Sequence, residues 1–441
     1  MNKDTIYALS SGVGAAGVAV VRVSGPQAGN ALRLLCGREL PSARRAVVRL
    51  LHDPEDGTPL DRAMVLWMPA PTSFTGEDVA EFHVHGSRAV VRRLLASLEN
   101  MNGLRPAEAG EFTRRAFENG RMDLVEVEGL ADLVRAETEA QRRQALEGAS
   151  GAASRRIGEW RERLIHVLSS LEAAIDFVEE EDVAAGALKG VREHMERLVR
   201  DMGEAIRRAE RAERLREGIR VVIAGPPNAG KSSLLNHLAG RDAAIVSQEA
   251  GTTRDVIEVR LDLDGMPVIL SDTAGLRKRT SGDVERMGQD LAKERMREAD
   301  LVLWLEAPDA SGEPPDVDSP SLRILNKTDL LDSTAVRSGF DLQISVRLGT
   351  GMSELEDRLK NLIRNRYEIA GEVILTRERQ VLAVRDARNR LLEVLEGMQD
   401  LPLELCAEQV RMAVRDLERL VGRVDVEALL DRIFRDFCIG K

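Results

Sequence analysis

A short glycine-rich segment limits what this chain can fold into more than any other feature of its sequence. Residues 225–232 read GPPNAGKS, that is, glycine, four residues, glycine, lysine and serine. The apolar run IRVVIA (219–224) precedes this segment, and SSLLNHLAG (232–240), with the spacing of a helix, follows it. A buried parallel strand, such a loop and a helix together form the setting of a phosphate-binding loop, or P-loop. The sequence therefore predicts an α/β domain that binds a nucleotide.

The chemistry of this loop assigns roles to its side chains. We expect its backbone amides to surround the phosphates at the start of the helix. Lys231 is predicted to neutralise the β- and γ-phosphate oxygens as a catalytic residue, and the Ser232 hydroxyl to ligate magnesium. The loop residues predicted to contact the nucleotide are Asn228, Ala229, Gly230, Lys231, Ser232 and Ser233.

The segment NKTD (326–329) indicates which base is bound. It follows the apolar run LRIL and resembles the guanine-recognition motif of GTPases. Asp329 can accept two hydrogen bonds from guanine, while the Lys327 side chain packs along the base. Adenine would leave the buried Asp329 carboxylate unpaired. The segment ISVRLGTG (344–351) resembles the last GTPase motif, in which the backbone amide after Ser345 meets the guanine oxygen. The residues predicted at the base are Asn326, Lys327, Thr328, Asp329, Ser345 and Val346.

Two more motifs, GTTRD (251–255) and DTAGL (272–276), lie between the P-loop and the guanine motif. Asp272 is placed to hold magnesium through water, and Thr253 to be its second protein ligand. The nucleotide contacts predicted here are Ser247, Thr252, Thr253, Asp272, Thr273, Ala274 and Gly275. Ras-like GTPases orient the attacking water with a glutamine where this chain has Leu276. Either hydrolysis is very slow, or the catalytic group comes from elsewhere in the chain.

Length and composition limit the remaining possibilities. A chain of 441 residues exceeds what one hydrophobic core usually serves, so we expect two or three domains. The net charge of -11 argues against a broad basic face for nucleic acid, although a local patch remains possible. Three cysteines without metal-like spacing suit a reducing cytosol, and no apolar run approaches the roughly 20 residues that span a bilayer. These observations predict a cytoplasmic protein without a membrane partner.

The composition and the spacing of apolar residues change at three points along the chain. Residues 1–118 mix short strand-like runs with a helix and predict an α+β domain. Residues 119–217 have helical spacing, residues 218–370 alternate strands and helices, and residues 371–441 are helical again. We therefore predict a helical domain in two parts with a nucleotide-binding α/β domain inserted between them. Residues 306–320, EAPDASGEPPDVDSP, read as an acidic surface loop.

Several segments spread over the chain carry a family resemblance when they are taken together. They are GVAVVRVSG, SFTGEDVAEFHVHG, GEFTRRAFENGRMDL, GPPNAGKSSLLN, AAIVSQEAGTTRDV, DTAGLR, DVERMG and the final FCIGK. With these segments the chain resembles the MnmE (TrmE) family of tRNA-modification GTPases over essentially its whole length. The resemblance implies a Ras-like P-loop G domain inserted in a helical domain that follows a folate-binding N-terminal domain. It also implies a potassium-activated mechanism with the ligands Asn228, Ser247, Glu249 and Thr252. A potassium ion beside the phosphates can offset charge that develops in the transition state.

The resemblance also assigns a second catalytic residue. Aligning VERMG places the catalytic carboxylate at Glu285, which would position the attacking water through a bridging water. This alignment assumes that the chain has one residue more between Leu276 and Val284 than the family pattern has. Gln248 stands where the family usually has an acidic residue, which bears on potassium affinity.

The N-terminal segments imply a site for formyl-tetrahydrofolate. The family positions that hold this one-carbon carrier correspond to Arg22, Glu81, Arg121 and Lys441. Cations suit the glutamate tail of folate, and a carboxylate suits its pterin ring. Arg121 replaces a lysine of other members, which keeps the charge and changes the geometry.

The function implied by the resemblance is installing a (carboxymethyl)aminomethyl group at carbon 5 of the wobble uridine of certain tRNAs. The implied partners are the FAD-binding subunit MnmG, tRNA, and a second copy of the chain through the N-terminal domain. The alternative is a ribosome-assembly GTPase of the Era or EngA type, which would carry a KH-type RNA module or a second P-loop. The sequence contains one P-loop and no GXXG loop in a basic setting. A membrane-remodelling GTPase would need an amphipathic anchor, and none is visible.

Overall fold

The computed structural model describes most of the chain. The described residues are 4–177, 182, 186, 188–241, 258–272, 292–314, 319–331, 338–369, 371, 373–398, 400–422, 424, 430, 433–435, 437, 439 and 440. Contacts between backbone positions divide the chain into two compact units. The first unit comprises Met1–Ala131, Ile157–Glu162 and Arg411–Lys441, and the second comprises Asp132–Arg156 and Arg163–Val410.

The first unit is built around an N-terminal sheet of six described strands. They are β1 (Thr5–Leu9), β2 (Ala16–Ser24), β3 (Val47–His52), β4 (Pro59–Met68), β5 (Val79–Gly86) and β6 (Leu104–Pro106). The sheet order is β3-β4-β5-β2-β1-β6, and every pair is antiparallel except β1 with β6. Along β5, Phe82 and Val84 are buried, whereas His83 between them is half-buried and His85 after them is exposed, as the period of two in a strand requires. The alternating pattern of this segment therefore sets which face the sheet buries.

Four described helices accompany this sheet in the first unit. They are α1 (Ala28–Cys36), α2 (Arg88–Glu99), α3 (Glu111–Glu118) and α4 (Leu124–Arg135), whose last turn belongs to the second unit. Leu32 and Leu35 of α1 and Leu94 and Leu98 of α2 pack into one apolar core with the strands. The Ser87 side chain caps α2 by accepting a hydrogen bond from the Val90 amide.

The C-terminal residues of the chain pack within the first unit. Phe434 and Phe437 join Leu124 in an apolar cluster, and Ile439 forms an isolated bridge with Ala109. Gly440 has a φ of 98°, and a Cβ there would lie 2.2 Å from the Leu9 carbonyl oxygen. Only glycine permits so close an approach of two backbones.

Long helices form one part of the second unit. They are α5 (Glu139–Ala149), α6 (Ala152–Asp176), α7 (Val191–Glu217), α10 (Glu378–Gly397) and α11 (Leu403–Val421), of which α6 and α11 each continue into the first unit. Met195, Leu198 and Met202 of α7 are buried at helical spacing. None of the described helices is both long enough and apolar enough to cross a membrane.

A second six-stranded sheet of described strands forms the other part of this unit. Its strands are β7 (Ile219–Ala224), β8 (Glu258–Leu263), β9 (Met266–Asp272), β10 (Leu301–Glu306), β11 (Ser321–Leu325) and β12 (Leu342–Gln343). The order is β12-β11-β10-β7-β9-β8, and only β8 runs antiparallel to its neighbour. The accompanying helices are α8 (Lys231–Arg241) and α9 (Met352–Tyr367).

The middle of this sheet positions the nucleotide motifs. All six residues of β10 are buried, as expected for a central parallel strand covered on both faces. The P-loop follows the carboxyl end of β7, which is where open parallel sheets bind ligands. The predicted fold class is confirmed: an α+β N-terminal region, an α-helical region and an α/β P-loop region.

The prediction that residues 306–320 form a surface loop was wrong for the first of these residues. Glu306 is the last residue of β10 and is only 4% exposed. Its carboxylate accepts hydrogen bonds from the Trp304 indole at 3.1 Å and the Arg323 guanidinium at 2.9 Å. Paired in this way, a charged residue can end a buried strand, which the acidic composition of the segment concealed.

Candidate nucleotide-binding site

Backbone geometry fixes the path of the P-loop. Gly225 has a φ of 142°, and a Cβ on it would lie 2.0 Å from the Leu305 carbonyl oxygen. Asn228 adopts a left-handed φ of 65°, which asparagine tolerates better than most residues do. The loop thus turns tightly against β10 before α8 begins at Lys231 and presents the amides of a helix N-terminus.

Lys231 lies over the loop that carries it. It is 7% exposed, and its ammonium donates to the Gly225 carbonyl at 3.0 Å and to the Pro226 carbonyl at 2.7 Å. A buried ammonium needs such acceptors. The loop therefore keeps a positive charge beside its own amides, in the arrangement that suits phosphate oxygens.

Two predicted magnesium residues are in direct contact. The Ser232 hydroxyl donates to Asp272 Oδ2 at 2.6 Å. Asp272 ends β9 and is 4% exposed, whereas Ser232 is the second residue of α8. Hydroxyl and carboxylate oxygens are the ligands that a hard cation such as magnesium prefers, so the donor set fits this ion.

Asn326 connects three of the predicted motifs. Its amide Nδ2 donates to the Ala229 carbonyl of the P-loop at 2.9 Å, and its Oδ1 accepts from the Val346 amide at 3.1 Å. Asn326 is 2% exposed, so these bonds form out of water. A Cβ on Gly230 would lie 2.3 Å from Asn326 Nδ2, which explains the second glycine of the loop.

Ser345 has a role that the sequence did not reveal. Its hydroxyl donates to Asp329 Oδ1 at 2.6 Å, and Ser345 Oγ accepts from the Leu348 amide at 3.2 Å. From the sequence, only the backbone amide after Ser345 is predicted to contact the base. This hydroxyl orients the carboxylate predicted to recognise guanine, and the signal for it was the serine that precedes Val346.

The remaining described base residues lie close to Asp329. The Thr328 amide donates to the Ile344 carbonyl at 3.2 Å, which ties NKTD to the last motif. Lys327 has a left-handed φ of 57° and donates from its ammonium to Asp309. Ser233 lies in the first turn of α8.

Several predicted site residues lie outside the described residues. They are Ser247, Glu249, Thr252, Thr253, Thr273, Ala274, Gly275, Glu285 and Lys441. Asn228 is thus the described member of the predicted potassium set, and Ser232 and Asp272 are the described members of the magnesium set.

In the first unit, two predicted folate residues form an ion pair. Arg22 on β2 is the cross-strand partner of Glu81 on β5, and their side chains approach to 2.8 Å. His83 Nε2 lies 3.2 Å from the other carboxylate oxygen of Glu81. The Arg22 guanidinium also lies over the rings of Phe74 at 5.4 Å and Phe112 at 5.7 Å. The sequence motif SFTGED includes Phe74. The sequence alone could not predict that Phe74 contacts Arg22, because this contact depends on how the loop folds.

Arg121 follows α3 and lies beside the loop that carries Phe74. A Cβ on Gly76 would lie 3.2 Å from Arg121 Cγ and 3.0 Å from Asn119 Cβ. The Asn119 amide donates to the Thr75 carbonyl at 2.7 Å and holds the loop there. The aliphatic part of Arg121 is therefore close to this loop.

The strand order, the P-loop and the linked base motifs define a P-loop GTP hydrolase whose nucleotide domain interrupts a helical region. A family model described as "MnmE helical domain" matches residues 124–438, and one described as "GTP-binding protein TrmE N-terminus" matches residues 5–121. The first of these alone covers more than half of the chain. The chain belongs to the MnmE family.

Full-length relatives agree with this assignment. The chain is 48% identical over 446 residues to the tRNA modification GTPase MnmE of Bradyrhizobium sp. (strain ORS 278), covering 99% of each. It is 49% identical over 439 residues to that of Methylobacterium sp. (strain 4-46), covering 99% of this chain and 100% of the relative. The G domain of the T. maritima FeoB iron transporter aligns with 34% of this chain and 99% of that chain. Its identity is 20% and its TM-score 0.24, too slight a likeness to carry an argument.

Proposed function

We propose that this chain is a GTP hydrolase that acts in tRNA modification. With an FAD-binding partner of the MnmG type, it installs a (carboxymethyl)aminomethyl group at carbon 5 of the wobble uridine of certain tRNAs. The observation that carries this proposal is the near-half identity to tRNA modification GTPases over 99% of the chain. The linked P-loop and guanine motifs support the hydrolase part of the proposal.

The nucleotide part of the mechanism uses three groups of this chain. Lys231 and the loop amides bind the phosphates, Asp329 held by Ser345 binds the guanine edge, and Ser232 with Asp272 and Thr253 holds magnesium. Magnesium, when bound, neutralises charge on the phosphate oxygens. Because the Asp329 side chain is only 14% exposed, a base that offers it no hydrogen-bond donors binds more weakly than guanine.

Another group must orient the attacking water, because Leu276 stands where Ras-like GTPases have the catalytic glutamine. In this proposal, Asn228, Ser247, Glu249 and Thr252 supply oxygens to a potassium ion, and Glu285 positions the attacking water. Oxygen ligands suit a hard monovalent cation, and its charge offsets charge that develops in the transition state. The turn at Asn228, with its φ of 65°, is compatible with this role.

The N-terminal part of the proposal is a site for formyl-tetrahydrofolate at Arg22, Glu81, Arg121 and Lys441. The contact of Arg22 with Glu81 supports it, because one carboxylate and one cation are then held together. The packing of Gly440 against Leu9 supports it too, because Lys441 is the next residue. The assembly we propose is a homodimer through the N-terminal domain, working in the cytoplasm.

The test compares the rate of GTP hydrolysis in potassium and in sodium at equal ionic strength, with and without the FAD-binding partner. We expect the rate to be at least about tenfold higher in potassium. Asn228→Ala should remove this difference, whereas Asn236→Ala, an exposed asparagine of α8, should keep it. Mass spectrometry of tRNA nucleosides measures the modification. Equal rates in both salts would refute the potassium mechanism, and an unmodified wobble uridine would refute the tRNA reaction.

A further inference from the structure

The turn after β10 is firmly built although it lies at the surface. Ala307 and Ala310 exchange backbone hydrogen bonds of 2.9 Å in both directions, which closes a turn around Pro308 and Asp309. Proline fixes its own φ and so favours this turn. The turn starts from the buried Glu306, whose carboxylate also accepts from the Gly312 amide at 3.5 Å. Asp309 is therefore presented from a defined position.

The Asp309 carboxylate holds the lysine of the guanine motif. Lys327 Nζ lies 3.1 Å from one carboxylate oxygen and 3.0 Å from the other. The hydrogen bond from Lys327 lowers the pKa of Asp309 below its ordinary value. Lys327 itself starts from a left-handed backbone conformation. Its side chain is thus restrained at both ends, by the turn of the backbone and by the carboxylate.

The same loop also lies against the P-loop. A Cβ built on Gly312 would lie 3.7 Å from Pro226 Cδ, so the backbone at Gly312 lies close to the Pro226 side chain. At the other end, the Glu306 carbonyl accepts from the Asn326 amide at 2.7 Å. The segment from Glu306 to Gly312 therefore contacts the guanine motif at Asn326 and comes close to the P-loop at Pro226.

We propose that Asp309 is a positioning residue for nucleotide affinity, which holds the Lys327 stem where the guanine base packs. The inference rests on the proposed GTP binding and adds a residue that none of the GTPase motifs contains. A free lysine side chain loses rotamer entropy when it is immobilised. A side chain already restrained by Asp309 loses less on binding, so the nucleotide binds more tightly. Asp309 touches Lys327 and acts on the ligand through it.

The test measures affinity for a fluorescent GDP analogue and the kinetic constants of GTP hydrolysis. Asp309→Asn should weaken binding and raise KM about two- to fivefold while kcat stays constant, the range of an exposed ion pair. Asp309→Glu should restore most of the affinity. Glu313→Gln removes the same charge from an exposed position of the same loop and should have no effect.

A double-mutant cycle separates positioning from a general loop defect. In a Lys327→Met background, Asp309→Asn should cause no further loss, because its partner is gone. An equal loss in both backgrounds would overturn the inference, as would unchanged affinity in Asp309→Asn. Failure of the unaltered chain to bind the GDP analogue would instead refute the proposed function.

Discussion

The nucleotide motifs are held by different contacts from those of the N-terminal cluster, which comprises Arg22, Glu81, His83, Phe74 and Phe112. Asn326 is fixed by hydrogen bonds to backbone groups of two neighbouring loops. Arg22 and Glu81 are fixed by each other, with His83 and two aromatic rings around them. Backbone partners stay in place when a ligand binds, whereas a side-chain ion pair can exchange one partner for a charged ligand group. The nucleotide site is therefore preorganised, and the N-terminal cluster is a pair of charges that a ligand must compete for.

The largest expected effect tests the preorganised side of this comparison. Asp329→Asn should abolish the preference for guanine, with a loss of GTP affinity of at least about 100-fold, since the guanine donors lose their acceptor. Asp357→Asn, an exposed aspartate of α9, is the matched control. Competition of GTP, ATP and XTP against a labelled nucleotide measures the preference. Retained selectivity for GTP would remove Asp329 from the base site.

The nucleotide motifs could be proposed from the sequence because each of them is local. A strand, a glycine-rich loop and a helix occupy one stretch, so residue spacing carries the geometry. The role of the Ser345 hydroxyl and the pairing of Lys327 with Asp309 could not be predicted in this way. Both depend on loops that are separate in sequence and that meet only after β10, β11 and β12 align in the sheet.

The N-terminal set was predicted by resemblance instead, because Arg22, Glu81 and Arg121 lie far apart in the sequence. Spacing cannot show that β2 and β5 pair with Arg22 opposite Glu81. Six of the described strands were not predicted as separate elements either, namely β1, β3, β6, β8, β10 and β12. For β10, which is buried throughout, continuous apolar residues are ambiguous between strand and helix.

The next prediction concerns the chain's end and the N-terminal cluster. Deleting residues 438–441 should weaken formyl-tetrahydrofolate binding at least about tenfold, because one charge-assisted contact from Lys441 is lost. GTP hydrolysis should persist, since its motifs lie between Gly225 and Val346. Lys441→Gln keeps the backbone contacts of Ile439 and Gly440 and should reproduce most of the effect. Calorimetry decides: full-strength binding by both variants would exclude Lys441 as a ligand and reduce the proposed site to Arg22, Glu81 and Arg121.

The smallest expected effect concerns buried charge in the first unit. Arg115 is 1% exposed and pairs with Glu111 at 3.0 Å, Asp4 at 2.9 Å and Glu77 at 3.2 Å. Burial alone would raise the pKa of Glu111, but hydrogen bonds from Arg105, the Glu108 amide and Arg115 hold it below the ordinary 4.5. A carboxylate with a lowered folded-state pKa stabilises the fold above its unfolded-state pKa. This contribution is lost as the pH falls from about 4.5 through the lowered value.

Glu111→Gln should therefore lower the melting temperature at pH 7 and do so progressively less below about pH 4.5, where the unaltered chain loses the same contribution. Glu118→Gln on the same helix is the control, because Glu118 is 43% exposed in its pair with Arg114 and such pairs contribute little. Melting followed by circular dichroism from pH 3 to pH 7 gives the comparison. A difference between Glu111→Gln and the unaltered chain that stays constant over this range would show that the charge of Glu111 is not what stabilises the first unit. The N-terminal region would then resemble the nucleotide site in depending on packing and backbone hydrogen bonds.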